Sequence, residues 1–196
     1  MRNGHDLNHP AIALGMMLRM DRWAKDMMID RDRRDQQDAL TGTVTMPAMR
    51  RFVEAALDLS EPMGPGVALL AIGIDGLDGL LAQYGPQLAD AALLGVADRL
   101  RGGLRTHDLV GRLPEGFCVC IAEALSAHAQ GTAERLRQLL EATPLESPRG
   151  PLTLRCSLGL ALGRGPGSSA EELIGRARAA LAAAQEAGGN QVVTSP

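Results

Sequence analysis

Val67 to Ile74 runs Val-Ala-Leu-Leu-Ala-Ile-Gly-Ile, without one polar side chain. A strand that is apolar at every position has no face to give to water, so it belongs inside a sheet covered on both sides. Other segments supply the sheet and the cover. Leu109–Leu113 and Phe117–Ile121 flank Pro114, Glu115 and Gly116, the pattern of a hairpin. Leu152, Leu154, Cys156, Leu158, Leu160 and Leu162 alternate with smaller or polar residues, which predicts a long strand with one strongly buried face. A helix is predicted to open at Pro47, a residue favoured in a first helical turn, with Phe52, Val53, Ala56 and Leu57 as its apolar stripe. Further helices are predicted from Pro86 to about Arg101 and from Ser126 to Glu141. Ser169 with Glu172 forms a capping box that opens a last helix to about Ala187, ended by Gly188 and Gly189. Gln191 to Val193 can then add a short edge strand. The fold class is therefore α+β.

Ahead of this domain, a helix is expected from about Pro10 to Gln37. Met16, Met20, Trp23 and Met27 step at the spacing of a coiled-coil seam, and the segment from Asp30 to Asp38 is uniformly polar. Two roles suit such a helix: packing on its own domain, or acting as a dimerising stalk that feeds the next domain. The chain thus divides into a helical extension, 1–37, and a domain, 38–196.

Composition excludes several classes. With 20 Lys and Arg against 23 Asp and Glu, the net charge of −3 argues against broad nucleic-acid binding. No apolar run of about eighteen residues exists, so no membrane insertion is expected. The N-terminus lacks the pattern of a secretion signal. Three cysteines point to a reducing, cytoplasmic setting rather than a disulfide framework. Cys118 and Cys120 lie two apart and share one face of a strand, without further His or Cys at metal-ligand spacing, so they read as buried thiols.

Several short motifs in order resemble one family. Asp38-Ala-Leu-Thr-Gly42 is similar to the Asp-x-Leu-Thr-Gly that opens GGDEF (diguanylate cyclase) domains. Ile72-Gly-Ile-Asp75, Tyr84-Gly85 and Asp90 resemble the family's first strand and following helix, Ser157-Leu-Gly159 its Ser-Ile-Gly strand, and Ala180 to Asn190 its terminal helix. The stretch Arg105-Thr-His-Asp-Leu-Val-Gly-Arg-Leu-Pro-Glu-Gly-Phe117 resembles its hairpin, with Arg105, Asp108, Arg112 and Phe117 kept. The resemblance implies a nucleotidyl-cyclase-like central mixed sheet flanked by helices, preceded by the N-terminal helix.

It also implies a chemistry this chain has lost. Family members join two GTP molecules into cyclic di-GMP with metal ions held by carboxylates. The first metal-binding Asp is Gly73 here, and the turn is one residue short, with Pro114, Glu115 and Gly116 where four residues belong. Glu115 falls near the place of the turn's metal-binding acid. The Asn that reads guanine is Leu81, the Lys and Arg that hold triphosphate are Gln185 and Gly189, and the His after Tyr-Gly is Pro86. No catalytic residues, metal ligands or cofactor are therefore expected.

What the resemblance keeps is the product-binding inhibitory site, Arg-x-x-Asp. Arg105 and Asp108 match it, and Arg135 matches the arginine that completes it from the next helix. A guanidinium offers paired donors to guanine O6 and N7, and a carboxylate accepts from its N1–H and amino group. Arg101, Arg112 and Arg137 are looser candidates for the ligand's phosphates. The expected function is a catalytically inactive cyclic di-GMP effector. The alternative is a nucleotide-free interaction or oligomerisation scaffold, with a protein partner or self-association through the first helix; an active cyclase ranks last.

Overall fold

The computed structural model describes residues 36–60, 64–142, 144–146, 150–165 and 167–196. The helix expected over 10–37 falls outside these residues except at its end. There Gln36 lies in a turn and Gln37 bridges Val44, so any helix stops short of them.

The elements run α1 (Met46–Leu59), β1 (Gly66–Ile74), α2 (Leu77–Tyr84), α3 (Pro86–Gly103), β2 (Leu109–Leu113), β3 (Gly116–Ala124), α4 (Ser126–Ala142), β4 (Cys156–Gly163), α5 (Ala170–Glu186) and β5 (Val192–Thr194). Among the described residues the sheet order is β2-β3-β1-β4-β5. All neighbours are antiparallel except β4 and β5, so the sheet is mixed. β1 is central and buried at every position, as its composition demands. One face packs Ala68, Leu70 and Ile72 of β1 with Phe117, Val119, Leu158 and Leu160 beneath α3 and α4. The opposite face meets α1 and α5, through contacts such as Leu57 and Leu173 over Gly163. No helix among the described residues is long and apolar enough to cross a membrane.

β4 departs from expectation in two ways. It begins at Cys156, not Leu152, because its partner β1 ends at Ile74, the residue paired with Cys156. Residues 152–155 continue the alternation without a ladder; Leu152 instead bridges Leu145. Nor is one face left open, since Ser157, Gly159 and Ala161 are fully buried. The small side chains reflect a close approach, not solvent. A Cβ at Gly159 would collide with the α5 backbone at Ala177 O and Leu181 N.

The other predicted elements that lie within the described residues match their sequence signals, and α2 is an addition to them. The Ser169 side chain accepts the Glu172 N–H at 3.1 Å, which caps α5. Cys118 and Cys120 are buried free thiols, pushed up by burial, Cys118 to about 12.

Candidate functional site

Two places draw attention: the corner between α3 and β2, and the end of β1 beside the hairpin tip.

At the corner, the Asp108 N–H donates to Arg105 O at 3.1 Å, closing a tight turn. The side chain reinforces it, as Asp108 Oδ2 accepts the Arg105 N–H at 3.0 Å. Arg135 arrives from α4 and donates from Nη2 to Gly103 O at 2.8 Å, at the C-terminal end of α3. Gly103 lets the neighbouring leucines of α4 pack close: a Cβ there would come within 2.8 Å of Leu139 and 3.0 Å of Leu136. Thus Arg105, Asp108 and Arg135 come to one corner from two separate segments.

Asp108 is held under tension at that corner. Burial raises its carboxyl above the usual range, against the pull of the Arg105 N–H and the positive charges of His107, Arg105 and Arg135. Its Oδ1 is shielded from solvent and accepts no hydrogen bond among the described residues. A buried acceptor left unsatisfied costs about 1–3 kcal/mol. A donor bonded there would remove that cost.

The three arginines considered for phosphates are engaged elsewhere. Arg101 donates to Thr41 O and pairs with Asp98 at 2.9 Å, pinning the Asp38–Gly42 turn. In that turn, burial of Asp38 is outweighed by hydrogen bonds from Thr41 and by the Arg112 charge, so its carboxyl lies below the usual range. Arg112 donates to Leu113 O and to Gly116 O and lies 5.5 Å from the Phe117 ring centroid, which fixes the hairpin. Arg137 bonds Glu134, Glu141 and Asn190 at 2.7–3.1 Å.

The second place contains two acids with committed oxygens. Asp75 follows β1; its Oδ1 accepts from the Ser157 hydroxyl and its Oδ2 from the Asn190 N–H, both at 2.8 Å. Glu115, at the hairpin tip, pairs with Arg178 of α5 at 2.5 Å. Gly73 sits between Gly116 and Ser157 in the sheet. A Cβ there would lie 2.7 Å from Gln185 Nε2, so the Gln185 amide fills the room a side chain would need. Leu81 is 46% exposed on α2, and Asp90 is exposed on α3. Among the described residues no group of three or more His, Cys, Asp or Glu could hold a metal ion.

Sequence reasoning missed two participants. Arg178, the partner of Glu115, lies 63 residues away and carries no local signal. His107 also acts on Asp108, after burial and the Arg105 N–H and ahead of the two guanidinium charges, and its adjacency to the acid was the available clue.

Comparison with known proteins gives consistent results. The family model described as "Diguanylate cyclase, GGDEF domain" matches residues 35–191. The bifunctional diguanylate cyclase/cyclic di-GMP phosphodiesterase MucR of Pseudomonas aeruginosa is 33% identical over 124 residues, 63% of this chain and 18% of that protein. An uncharacterized signaling protein of Caulobacter vibrioides is 28% identical over 155 residues, 78% of this chain and 19% of that protein. The chain thus spans about a fifth of the length of such relatives. Among solved structures, the GGDEF domain of DgcB from Caulobacter crescentus in complex with c-di-GMP superposes with a TM-score of 0.75 at 25% identity, covering 85% of this chain and 98% of that one. Diguanylate cyclase SiaD of Pseudomonas aeruginosa, in complex with its activator SiaC, shares the fold with a TM-score of 0.79 at 21% identity, over 93% of this chain and 70% of that one.

Proposed function

The chain belongs to the diguanylate cyclase GGDEF-domain family, and from that premise we propose that it is a catalytically silent receptor for cyclic di-GMP, bound through Arg105, Asp108 and Arg135. The observation that carries this is the shielded, unpartnered Asp108 Oδ1 in a corner framed by two guanidinium-bearing side chains. The DgcB domain of the same fold is described in complex with this dinucleotide.

The residue chemistry suits a guanine. Its N1–H and amino group are donors, and Asp108 holds an acceptor in want of one. Charge-assisted bonds of this kind are the stronger sort. Among the described residues the Arg105 side chain makes no ion pair, which leaves it to stack on a base or grip O6 and N7. Arg135 would keep one bond to Gly103 O and turn its remaining donors to the ligand.

Silence follows from the other end of β1. The residues there do not fit the metal ions that cyclase chemistry requires. Gly73 supplies no ligand, both oxygens of Asp75 accept protein donors, and Glu115 is neutralised by Arg178. Leu81, Gln185 and Gly189 likewise offer no counterpart to the base and triphosphate contacts of an active domain. The three free, buried thiols support the cytoplasmic setting read from composition.

Titration calorimetry with cyclic di-GMP tests the receptor. The native chain is expected to bind at micromolar protein and Arg105→Ala to bind at least tenfold more weakly; absence of heat from the native chain would end the proposal. Incubation with GTP and magnesium is expected to yield no cyclic di-GMP. A second reading has its own support: hydrogen bonds within the fold brace the corner, as a docking scaffold would require. On that reading the dinucleotide gives no heat, and residues 1–37 supply self-association or a protein partner.

A further inference from the structure

We infer that Gly103 is a positioning residue of the corner: its missing side chain seats α4 against the end of α3, and its carbonyl then holds the Arg135 guanidinium near Asp108. This rests on the reading of the corner as a dinucleotide site.

The last carbonyls of a helix have no partner within the helix and favour a positive charge beside them. α3 ends at Gly103, and Leu104 beyond it is already extended. The basic side chain of that last turn, Arg101, is turned to Thr41 O and Asp98. The cation on the Gly103 carbonyl comes instead from α4, as Arg135 Nη2 at 2.8 Å. From there the Arg135 charge acts on Asp108. Arg135 itself is exposed, so this bond takes the place of packing in fixing where its guanidinium lies. A guanidinium held in place meets a ligand with less rotamer freedom left to lose.

Space explains why position 103 is a glycine. Its backbone does not lie in the left-handed region, so other residues could adopt the conformation. The obstacle is α4. A Cβ would stand 2.8 Å from Leu139 Cδ2 and 3.0 Å from Leu136 Cδ2, with Arg135 Nη1 at 3.9 Å. Leu136 is fully buried in the core and Leu139 half-buried, so crowding at either is passed to the helix. Arg135 lies one residue before Leu136 and one turn before Leu139 on the same face, and moves with them. Gly102 is the natural control. It shares the last turn of α3, yet an added Cβ there meets nothing within 4 Å.

The experiment is calorimetry with cyclic di-GMP on the full chain and on variants at these positions. Gly102→Ala should bind as the native chain does. Gly103→Ala should bind about fivefold more weakly, the size of one weakened hydrogen bond. Adding Leu139→Ala to Gly103→Ala vacates the nearer contact and should regain most of the lost affinity. In an Arg135→Ala background, Gly103→Ala should cost nothing further, because a positioning residue acts through the group it positions. A merely structural glycine would weaken binding equally with and without Arg135. That result, or native affinity in Gly103→Ala, overturns the role of Gly103 and leaves the receptor standing. Absence of binding by the native chain overturns both.

Discussion

Glycines 73 and 159 look alike in the sequence, each inside an apolar strand, yet different atoms oppose them. At Gly159 the obstacle to a side chain is the α5 backbone, which cannot move without lifting the helix off the sheet. At Gly73 it is the terminal amide of Gln185, 2.7 Å from an added Cβ, at the end of a side chain with free rotors. Gly159→Ala should therefore cost about 3 kcal/mol or more, the upper range for overpacking a closed core. Gly73→Ala should cost less than about 1 kcal/mol, because only Gln185 must swing away. Urea unfolding of the two variants measures both; a similar loss at the two positions would contradict this account. The contrast bears on function too. Position 73 is not barred to a side chain by the fold, so the glycine there does not reflect a collapsed strand.

Arg137 ties one helix to the end of another. It reaches from α4 to Glu134, Glu141 and Asn190, whose own N–H holds Asp75 at the end of β1. Glu141 also receives the Asn190 amide at 2.9 Å. Hydrogen bonds and charge from Arg137 lower both glutamates below the ordinary carboxylate range. The sign is definite. A carboxylate lowered in the folded state contributes stability above its unfolded value, and that contribution is lost as pH falls through the folded value. Thermal melts of the native chain should thus fall off in acid, below about pH 4.5. Arg137→Met should melt lower at pH 7 and show a shallower acid decline; parallel curves would remove the network from the account. What the sequence made legible at this level was local. The capping box at Ser169, the hairpin and the apolar run of β1 are all short-range signals. α2 was passed over although Leu77, Leu80, Leu81 and Tyr84 fall at helical spacing; the helix is short, and Leu77 and Leu80 are only partly buried against the core. β4 misled because small residues on a strand read equally as a solvent face or as a seat for a helix backbone, and only the position of α5 decides between them.

The same limit governs the site within the whole domain. Arg105 and Asp108 were matched as a motif three residues apart, and Arg135 by its register within a recognised motif order. The engagement of Arg101 with Thr41, 60 residues away, and of Arg137 with Asn190, 53 residues away, depends on tertiary approach and left no local trace. A dinucleotide would bring to the corner what the described residues do not supply, donors for Asp108 Oδ1 and anions for the adjoining cations. Such a ligand binds the folded state and not the unfolded one, and so must stabilise the domain by mass action. At a hundred times its dissociation constant the gain is about 2.7 kcal/mol, which for a domain of this size raises the melting temperature by about 5–10 °C. Cyclic di-GMP should produce that shift in the native chain, and Asp108→Ala, which removes the acceptor, should lose most of it. GTP with magnesium should leave the melt unchanged, since Gly73, Leu81, Gln185 and Gly189 offer it no metal, base or phosphate contact. A shift with magnesium-GTP equal to that with the dinucleotide would relocate the nucleotide to the end of β1 and return the domain to its catalytic relatives.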